Sequence, residues 1–117
     1  MDIDIYASHA ATTAIYPREF QRDPDPELPS LIYCGLKLCG ESGEVAEHIG
    51  KILRDDGGKI TDDRRQKLAK EIGDVAWYFV RICHHLGYNP SEILKVNVAK
   101  LAKRAAEGKI QGSGSDR

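Results

Sequence analysis

The chain has 117 residues, of which 41% are hydrophobic and 30% charged, and 17 basic against 18 acidic side chains leave a net charge of −1. This composition predicts one globular domain, excludes a disordered chain, and argues against binding to duplex nucleic acid, which needs a basic surface. We expect no signal peptide, because the start MDIDIYASHA is acidic, and no membrane partner, because no stretch approaches the roughly 18 apolar residues of a span.

Prolines and glycines divide the chain into helical segments. A first helix is predicted over residues 3–16, and it ends before Pro17. Residues 17–29 contain four prolines among charged side chains and predict an extended arm. A second helix is predicted over residues 30–54, where the turn Asp55-Asp56-Gly57-Gly58 interrupts the pattern.

The third helix is predicted from an N-cap at Thr61 to Leu86, with Gly87 ending it. The fourth helix is predicted to start at Asn89-Pro90-Ser91-Glu92, with Asn89 as cap and Pro90 in the first turn. It runs to about Glu107 and ends at Gly108.

No alternating strand pattern occurs between hairpin turns. The fold class is therefore all-α, a bundle of four helices with a proline-rich arm after the first helix. We expect one domain over residues 1–117, in which the glycine-rich residues 108–117 form a tail.

Three cysteines, Cys34, Cys39 and Cys83, are an odd number at spacings that fit no zinc site. We expect three reduced thiols in the core of a cytoplasmic protein.

The second and third helices carry the same arrangement of apolar and acidic side chains. On a wheel at 100° per residue with Glu41 at zero, Glu44 lies at about −60°, His48 at about −20°, and an apolar stripe at about 20–120°. With Glu71 at zero, Asp74 lies at about −60° beside a matching stripe. The two stripes consist of Cys34, Leu38, Val45, Ile49, Ile52 and Leu53, and of Leu68, Ile72, Val75, Phe79, Ile82, Cys83 and Leu86.

If these stripes pack together, the acid pairs Glu41/Glu44 and Glu71/Asp74 meet at one edge of the helix interface. Four carboxylates there repel each other unless a cation neutralises them. Carboxylate oxygens are hard ligands that suit magnesium, manganese or calcium, and magnesium shares its coordination shell with phosphates. The pattern therefore favours a divalent metal site over two ordinary solvated helix faces.

Gly43 and Gly73 stand just before the second acid of each pair. A glycine inside a helix costs about 1 kcal/mol relative to alanine. Two such glycines at equivalent places predict either close approach of another backbone or space for a ligand.

The fourth helix carries a narrow polar stripe of Asn97, Lys100 and Arg104. One interpretation is a solvated face. The other is a phosphate clamp, in which Lys100 and Arg104 neutralise charge on a leaving group and Lys51 and Arg54 join them.

The run Gly40-Glu41-Ser42-Gly43-Glu44-Val45-Ala46-Glu47 and the later run Lys70-Glu71-Ile72-Gly73-Asp74-Val75 resemble the MazG-like all-α nucleoside triphosphate pyrophosphohydrolases. The signature of that family is ExxE followed by ExxD after a spacer, and residues 45–70 form a spacer of suitable length. Three further segments are similar to short bacterial and phage-borne members: Thr13-Ala14-Ile15-Tyr16-Pro17, Asn97 with Lys100-Leu101 and Arg104, and Gly112-Ser113-Gly114 with Asp116-Arg117. Ser115 departs from the pattern, in which aspartate directly follows the glycine.

The resemblance implies magnesium-dependent cleavage of a nucleoside triphosphate between its α- and β-phosphates, with Mn²⁺ as a substitute. Two or three ions would be held by Glu41, Glu44, Glu71 and Asp74. Glu47 is a candidate base or outer ligand. Lys100 and Arg104 would hold phosphates, with Asn97 near the metal or the substrate.

The resemblance also implies a homodimer or a dimer of dimers whose subunits complete each other's sites, in the cytoplasm of a bacterium or a phage-infected cell. From the resemblance to phage-borne members we expect a preference for purine deoxynucleotides, guanine in particular. Trp77, Tyr78 and Tyr33 have two possible roles, base stacking or core packing.

Two alternatives stay open. One is a sister activity, such as a dUTPase or a phosphoribosyl-ATP pyrophosphohydrolase. The other is a helical metal-binding or oligomerisation module without turnover. A di-iron bundle is excluded because none of His48, His84 and His85 follows a glutamate at the Glu-x-x-His spacing. We expect His84 and His85 to lie at a helix C-terminus rather than to bind metal.

Overall fold

The computed structural model describes residues 1–21 and 27–111. Within these residues it contains four α-helices and no strand, which confirms the all-α prediction. The helices are α1 (Ile3–Thr12), α2 (Glu27–Arg54), α3 (Asp62–Leu86) and α4 (Pro90–Ala106), with a short 3₁₀ turn (Arg18–Phe20) after α1. None of the helices in the described ranges has the length and apolar character that crossing a membrane requires.

Helix α1 ends at Thr12, so the predicted extension to residue 16 was wrong. The Thr13 N–H and hydroxyl both donate to the carbonyl of Ala10, and the Ile15 N–H then donates to the Thr13 carbonyl. This sharp turn directs Tyr16 into the protein, where it is buried. Burying an aromatic ring offsets the helical hydrogen bonds that the chain gives up there.

Tyr16 anchors the segment between α1 and α2. Its hydroxyl accepts a hydrogen bond from Nε of buried Arg81 at 2.9 Å and lies 2.8 Å from Nε2 of His85. Nδ1 of His85 lies 2.6 Å from a carboxylate oxygen of Glu27. Burial is the main reason that the pKa of Tyr16 rises to about 12. His85 thereby links Tyr16, just before the arm, to Glu27, at the start of α2. His84 and His85 lie in the last turn of α3, as predicted.

Helix α2 begins at Glu27, three residues before its predicted start. Pro29 therefore lies in the first helical turn, where its missing N–H removes no helical hydrogen bond. Residues 22–26 and the expected tail at 112–117 lie outside the described residues.

Helices α2 and α3 form an antiparallel hairpin, which is the main packing contact of the chain, while α1 packs on α3 and α4 packs on α1 and α3. Cys34 on α2 and Val80 and Cys83 on α3 are among the buried core residues. Burying one valine side chain contributes roughly 1.5–3 kcal/mol. Cys39 is exposed, which corrects the prediction of three core thiols: it lies at about 160° on the wheel, beyond the edge of the apolar stripe.

Both ends of α3 are determined by local capping signals, as predicted. The Thr61 hydroxyl accepts from the N–H of Arg64, which caps α3 at its start. Gly87 ends α3 in a left-handed conformation with φ 82°, and its N–H donates to the carbonyls of Cys83 and His84.

Helix α4 starts at Pro90 as predicted, with Asn89 in the N-cap position. The side chain of Asn89 makes no capping hydrogen bond. Asp4 of α1 caps the helix instead. Its two carboxylate oxygens accept from the Ser91 N–H at 3.0 Å and from the Ser91 hydroxyl at 2.6 Å. A contact between distant helices replaces the local cap.

Candidate active site

Packing of α2 on α3 brings three acids together at one edge of the hairpin. The carboxylate oxygens of Glu41 and Glu44 on α2 and of Glu71 on α3 lie within 4.8 Å of one another. Glu41 and Glu71 are half-buried and Glu44 is exposed. We call these three side chains the acid cluster. Their convergence is what the matched helix faces predicted; their role as metal ligands stays a prediction.

Like charges within the acid cluster raise a pKa. The pKa of Glu44 lies above its usual value because Glu44 forms a side-chain hydrogen bond with Glu71 and feels its negative charge. Lys37, whose Nζ lies 3.6 Å from Glu41, compensates only in part. The acid cluster therefore favours a bound positive charge, either a proton or a cation.

Asp74, the fourth predicted ligand, lies beside the acid cluster rather than within it. It is exposed on α3, one turn after Glu71, and lines a cavity of about 360 Å³ together with Glu41. The remaining lining residues are Thr13, Ile15, Trp77 and Tyr78. We call this space the acid cavity. The predicted segment at residues 13–17 thus borders it.

Two aromatic side chains form one wall of the acid cavity. Trp77 is half-buried and donates from Nε1 to the Thr13 hydroxyl at 3.0 Å. The rings of Trp77 and Tyr78 meet edge to face, with centroids 4.9 Å apart. Burial, a hydrogen bond with Tyr33 and the charge of Glu41 raise the pKa of Tyr78. Tyr33 packs between Tyr16, Phe20 and Tyr78.

The acid cluster lies within the segment of the chain that matches a known protein family. Residues 33–108 match the family model described as the MazG nucleotide pyrophosphohydrolase domain. The chain belongs to the MazG family. It is similar to the Gene 37 protein of Mycobacterium phage L5, with 41% identity over 117 residues that cover all of both chains. No solved structure matches the chain.

The other predicted site residues on α2, Glu47, Lys51 and Arg54, form ion pairs with residues close to them in the sequence. Lys51 Nζ lies 3.1 Å from a carboxylate oxygen of Glu47, which lowers the pKa of Glu47. Arg54 forms two 2.8 Å hydrogen bonds to Asp55. Glu47 lies outside the acid cluster, although its negative charge contributes to the raised pKa of Glu44.

The predicted residues of α4 lie elsewhere in the chain. Asn97 and Lys100 line a second cavity of about 360 Å³, which shares no residue with the acid cavity, and Arg104 is only 5% exposed. Across residues 1–21 and 27–111, α4 contacts α1 and α3 but not α2. One chain of this MazG protein therefore does not bring its α4 cations to the acid cluster.

Both helix glycines of the MazG motif border open space. Among residues 1–21 and 27–111, a Cβ atom added at Gly43 or Gly73 would meet nothing within 4 Å. The prediction of close backbone approach is therefore wrong for the residues that the structure describes. Space for a ligand beside the acids is the interpretation that remains.

Sequence reasoning did not identify His48 as a neighbour of the acid cluster. Its Nε2 lies 3.6 Å from a carboxylate oxygen of Glu71, and its Nδ1 lies 3.0 Å from Arg64. The wheel carried a signal, because His48 lies at about −20° between Glu41 and Glu44. The contact with Arg64 depends on the path of the loop between α2 and α3.

Proposed function

We propose that this MazG domain hydrolyses nucleoside triphosphates between the α- and β-phosphates, releasing a nucleoside monophosphate and pyrophosphate. The observation that carries the proposal is the acid cluster, in which the carboxylate oxygens of Glu41, Glu44 and Glu71 lie within 4.8 Å at an open edge. The family provides nucleotide pyrophosphohydrolase activity in general. The metal, the bond cleaved and the substrate are our proposal.

The donor set suits a hard divalent cation. All of its ligand atoms are carboxylate oxygens, and the raised pKa of Glu44 indicates a local deficit of positive charge. We assign two or three Mg²⁺ ions, or Mn²⁺ as a substitute, to Glu41, Glu44, Glu71 and Asp74. Such ions, when bound, supply positive charge that offsets the triphosphate and favours ionisation of a water nucleophile.

The acid cavity suits the nucleoside. Its volume of about 360 Å³ is within the usual range for small-ligand sites. The Trp77 and Tyr78 rings provide apolar faces for a base, while Glu41 and Asp74 border the same space. We propose a purine deoxynucleotide as the preferred substrate, on the strength of the resemblance to phage-borne members.

We propose that a second copy of the chain completes the site, in a homodimer or a dimer of dimers. Apolar side chains of both stripes stay exposed, with Leu53 at 79% and Ile72 at 54%. The radius of gyration is 17.3 Å, against about 13 Å for a compact domain of this length. Lys100 and Asn97 of a second copy would then hold the phosphates that the acid cluster cannot bind alone, whereas Arg104 is buried in its own chain.

A pyrophosphate-release assay over the common ribo- and deoxynucleoside triphosphates, with Mg²⁺, Mn²⁺ or a chelator, tests the proposal. We expect release that depends on the cation and is strongest with a purine deoxynucleotide. Preference for dUTP or phosphoribosyl-ATP would instead identify a sister activity. Metal-dependent stabilisation without any pyrophosphate would indicate a binding module and contradict the proposal.

A further inference from the structure

A chain of polar contacts lies behind Glu71, outside the proposed metal ligands. Asp56, in the loop between α2 and α3, accepts from Arg64 Nε at 2.8 Å and from Nη2 at 3.4 Å. Arg64 Nη1 lies 3.0 Å from His48 Nδ1, and His48 Nε2 lies 3.6 Å from a Glu71 oxygen. We call the contacts that run from Asp56 through Arg64 to His48 the relay. Arg64 is 9% exposed, so the relay is largely shielded from solvent.

Arg64 determines which nitrogen of His48 carries the proton. A guanidinium group has only N–H donors, so Nδ1 of His48 must accept the hydrogen bond. An imidazole that accepts at Nδ1 is neutral and has its proton on Nε2. The nitrogen that faces Glu71 is therefore an N–H donor.

The relay is neutral as a whole. Arg64 holds the pKa of Asp56 below its usual value through their hydrogen bonds, so the two form an ion pair whose charges cancel. His48 adds a dipole and no charge. The relay can therefore orient the Glu71 carboxylate while leaving its negative charge available to a cation.

We propose that His48 is a positioning residue for Glu71, held by Arg64 and Asp56 so that its Nε2–H directs the carboxylate toward Glu41 and Glu44. The inference rests on the proposed role of Glu71 as a metal ligand. Groups that orient metal ligands typically contribute 10–100-fold in metal affinity or activity. At 3.6 Å the contact exceeds hydrogen-bond length, so it acts through the attraction between the N–H dipole and the carboxylate.

Two polar substitutions separate the functions of the two ring nitrogens. His48→Asn retains an acceptor near the position of Nδ1 and has no group at the position of Nε2. His48→Gln places an amide N–H near the position of Nε2. The readout is Mn²⁺ affinity of the full chain without nucleotide, measured by titration calorimetry, with circular dichroism to verify that each variant is folded.

We expect His48→Asn to weaken Mn²⁺ binding roughly 10–100-fold and His48→Gln to retain most of the affinity. Asp63→Asn serves as control, because Asp63 forms an exposed ion pair with Lys67 on the same turn of α3 as Arg64. Equal affinity in the two His48 variants, whether both wild-type or both lowered, would overturn the inference. If the two variants do not fold, Asp56→Asn takes their place, and unchanged Mn²⁺ affinity in that variant overturns the inference.

The inference and the proposed function fail in different ways. Wild-type protein that binds no Mn²⁺ overturns both. Wild-type protein that binds Mn²⁺ and releases pyrophosphate, with indistinguishable His48 variants, overturns the positioning role alone.

Discussion

Glu44 and Glu71 lie on neighbouring helices with like charges close together, and this repulsion is the clearest sign of function at the scale of single residues. Their shared hydrogen bond raises the pKa of Glu44. A carboxyl group whose folded pKa is raised binds a proton more tightly in the folded state. The metal-free fold therefore loses stability as the pH rises from the ordinary value of about 4.3 through the raised pKa.

Replacing Glu71 by Gln removes that repulsion together with one proposed ligand. We expect Glu71→Gln to abolish pyrophosphate release and to weaken Mn²⁺ binding. The metal-free variant should unfold at a temperature no lower than wild type, because one of the like charges is gone. Activity assays, Mn²⁺ titration and thermal unfolding in a chelator measure these effects. Full activity would contradict the assignment, and a large loss of stability would indicate a structural role.

At the scale of helices, local chemistry determined most boundaries and long-range contacts determined the exceptions. Thr61 and Gly87 carry their own capping signals, so the limits of α3 could be predicted from the sequence. The early end of α1 could not, because it depends on where Tyr16 is buried. The cap on α4 belongs to Asp4, which is distant in sequence from Ser91.

The same distinction applies to the site. Glu41, Glu44 and Glu71 could be predicted together because helical periodicity places the acids of both helices on the same side of an apolar stripe. The relay through Arg64 to His48 could not, because it depends on how the loop returns the chain from α2 to α3.

Asp4 provides a test of the contact between α1 and α4. Hydrogen bonds from the Ser91 side chain and backbone lower the pKa of Asp4. Its stabilising effect is therefore present above the ordinary aspartate pKa of about 3.9 and is lost as the pH falls through the lowered value. We expect Asp4→Ala to lower the Tm at pH 7 and to lower it less at about pH 2, because protonation of Asp4 at low pH weakens its hydrogen bonds with Ser91.

Thermal unfolding monitored by circular dichroism at the two pH values measures this difference. Asp63→Ala is the control, since its exposed ion pair with Lys67 contributes little at either pH. An equal loss of Tm at both pH values would show that Asp4 acts through packing rather than through its charge.

At the scale of the whole molecule, one chain leaves apolar surface uncovered and keeps its α4 cations away from the acid cluster. Exposed Ile49, Leu53 and Ile72 lie on the α2–α3 hairpin, and Val96 and Val98 lie on α4. We propose that a second copy covers these side chains and brings its α4 to the acid cluster. We therefore expect at least a dimer by light scattering at micromolar concentration, and a monomer would contradict the assembly.

Mixing two inactive variants tests whether subunits share a site. Glu71→Gln removes an acid from one chain, and Lys100→Ala removes the proposed phosphate contact from the other. If Lys100 acts across the interface, a mixed dimer contains one intact site, and equal mixing restores about a quarter of the sites. An equal mixture of the Glu71→Gln and Asp74→Asn proteins is the control. Every chain in it carries one altered acid, so no proposed site is intact and no activity should return. No recovery in the first mixture would contradict a shared site.

The most direct test of the central claim follows oxygen from water into the products. The protein is incubated with Mg²⁺ and its best nucleoside triphosphate in oxygen-18 water, and both products are analysed by mass spectrometry. Water that attacks the α-phosphorus leaves the label in the nucleoside monophosphate, and pyrophosphate departs unlabelled. Label in the pyrophosphate would place the attack on the β-phosphorus, and release of orthophosphate with a nucleoside diphosphate would contradict the proposed reaction altogether.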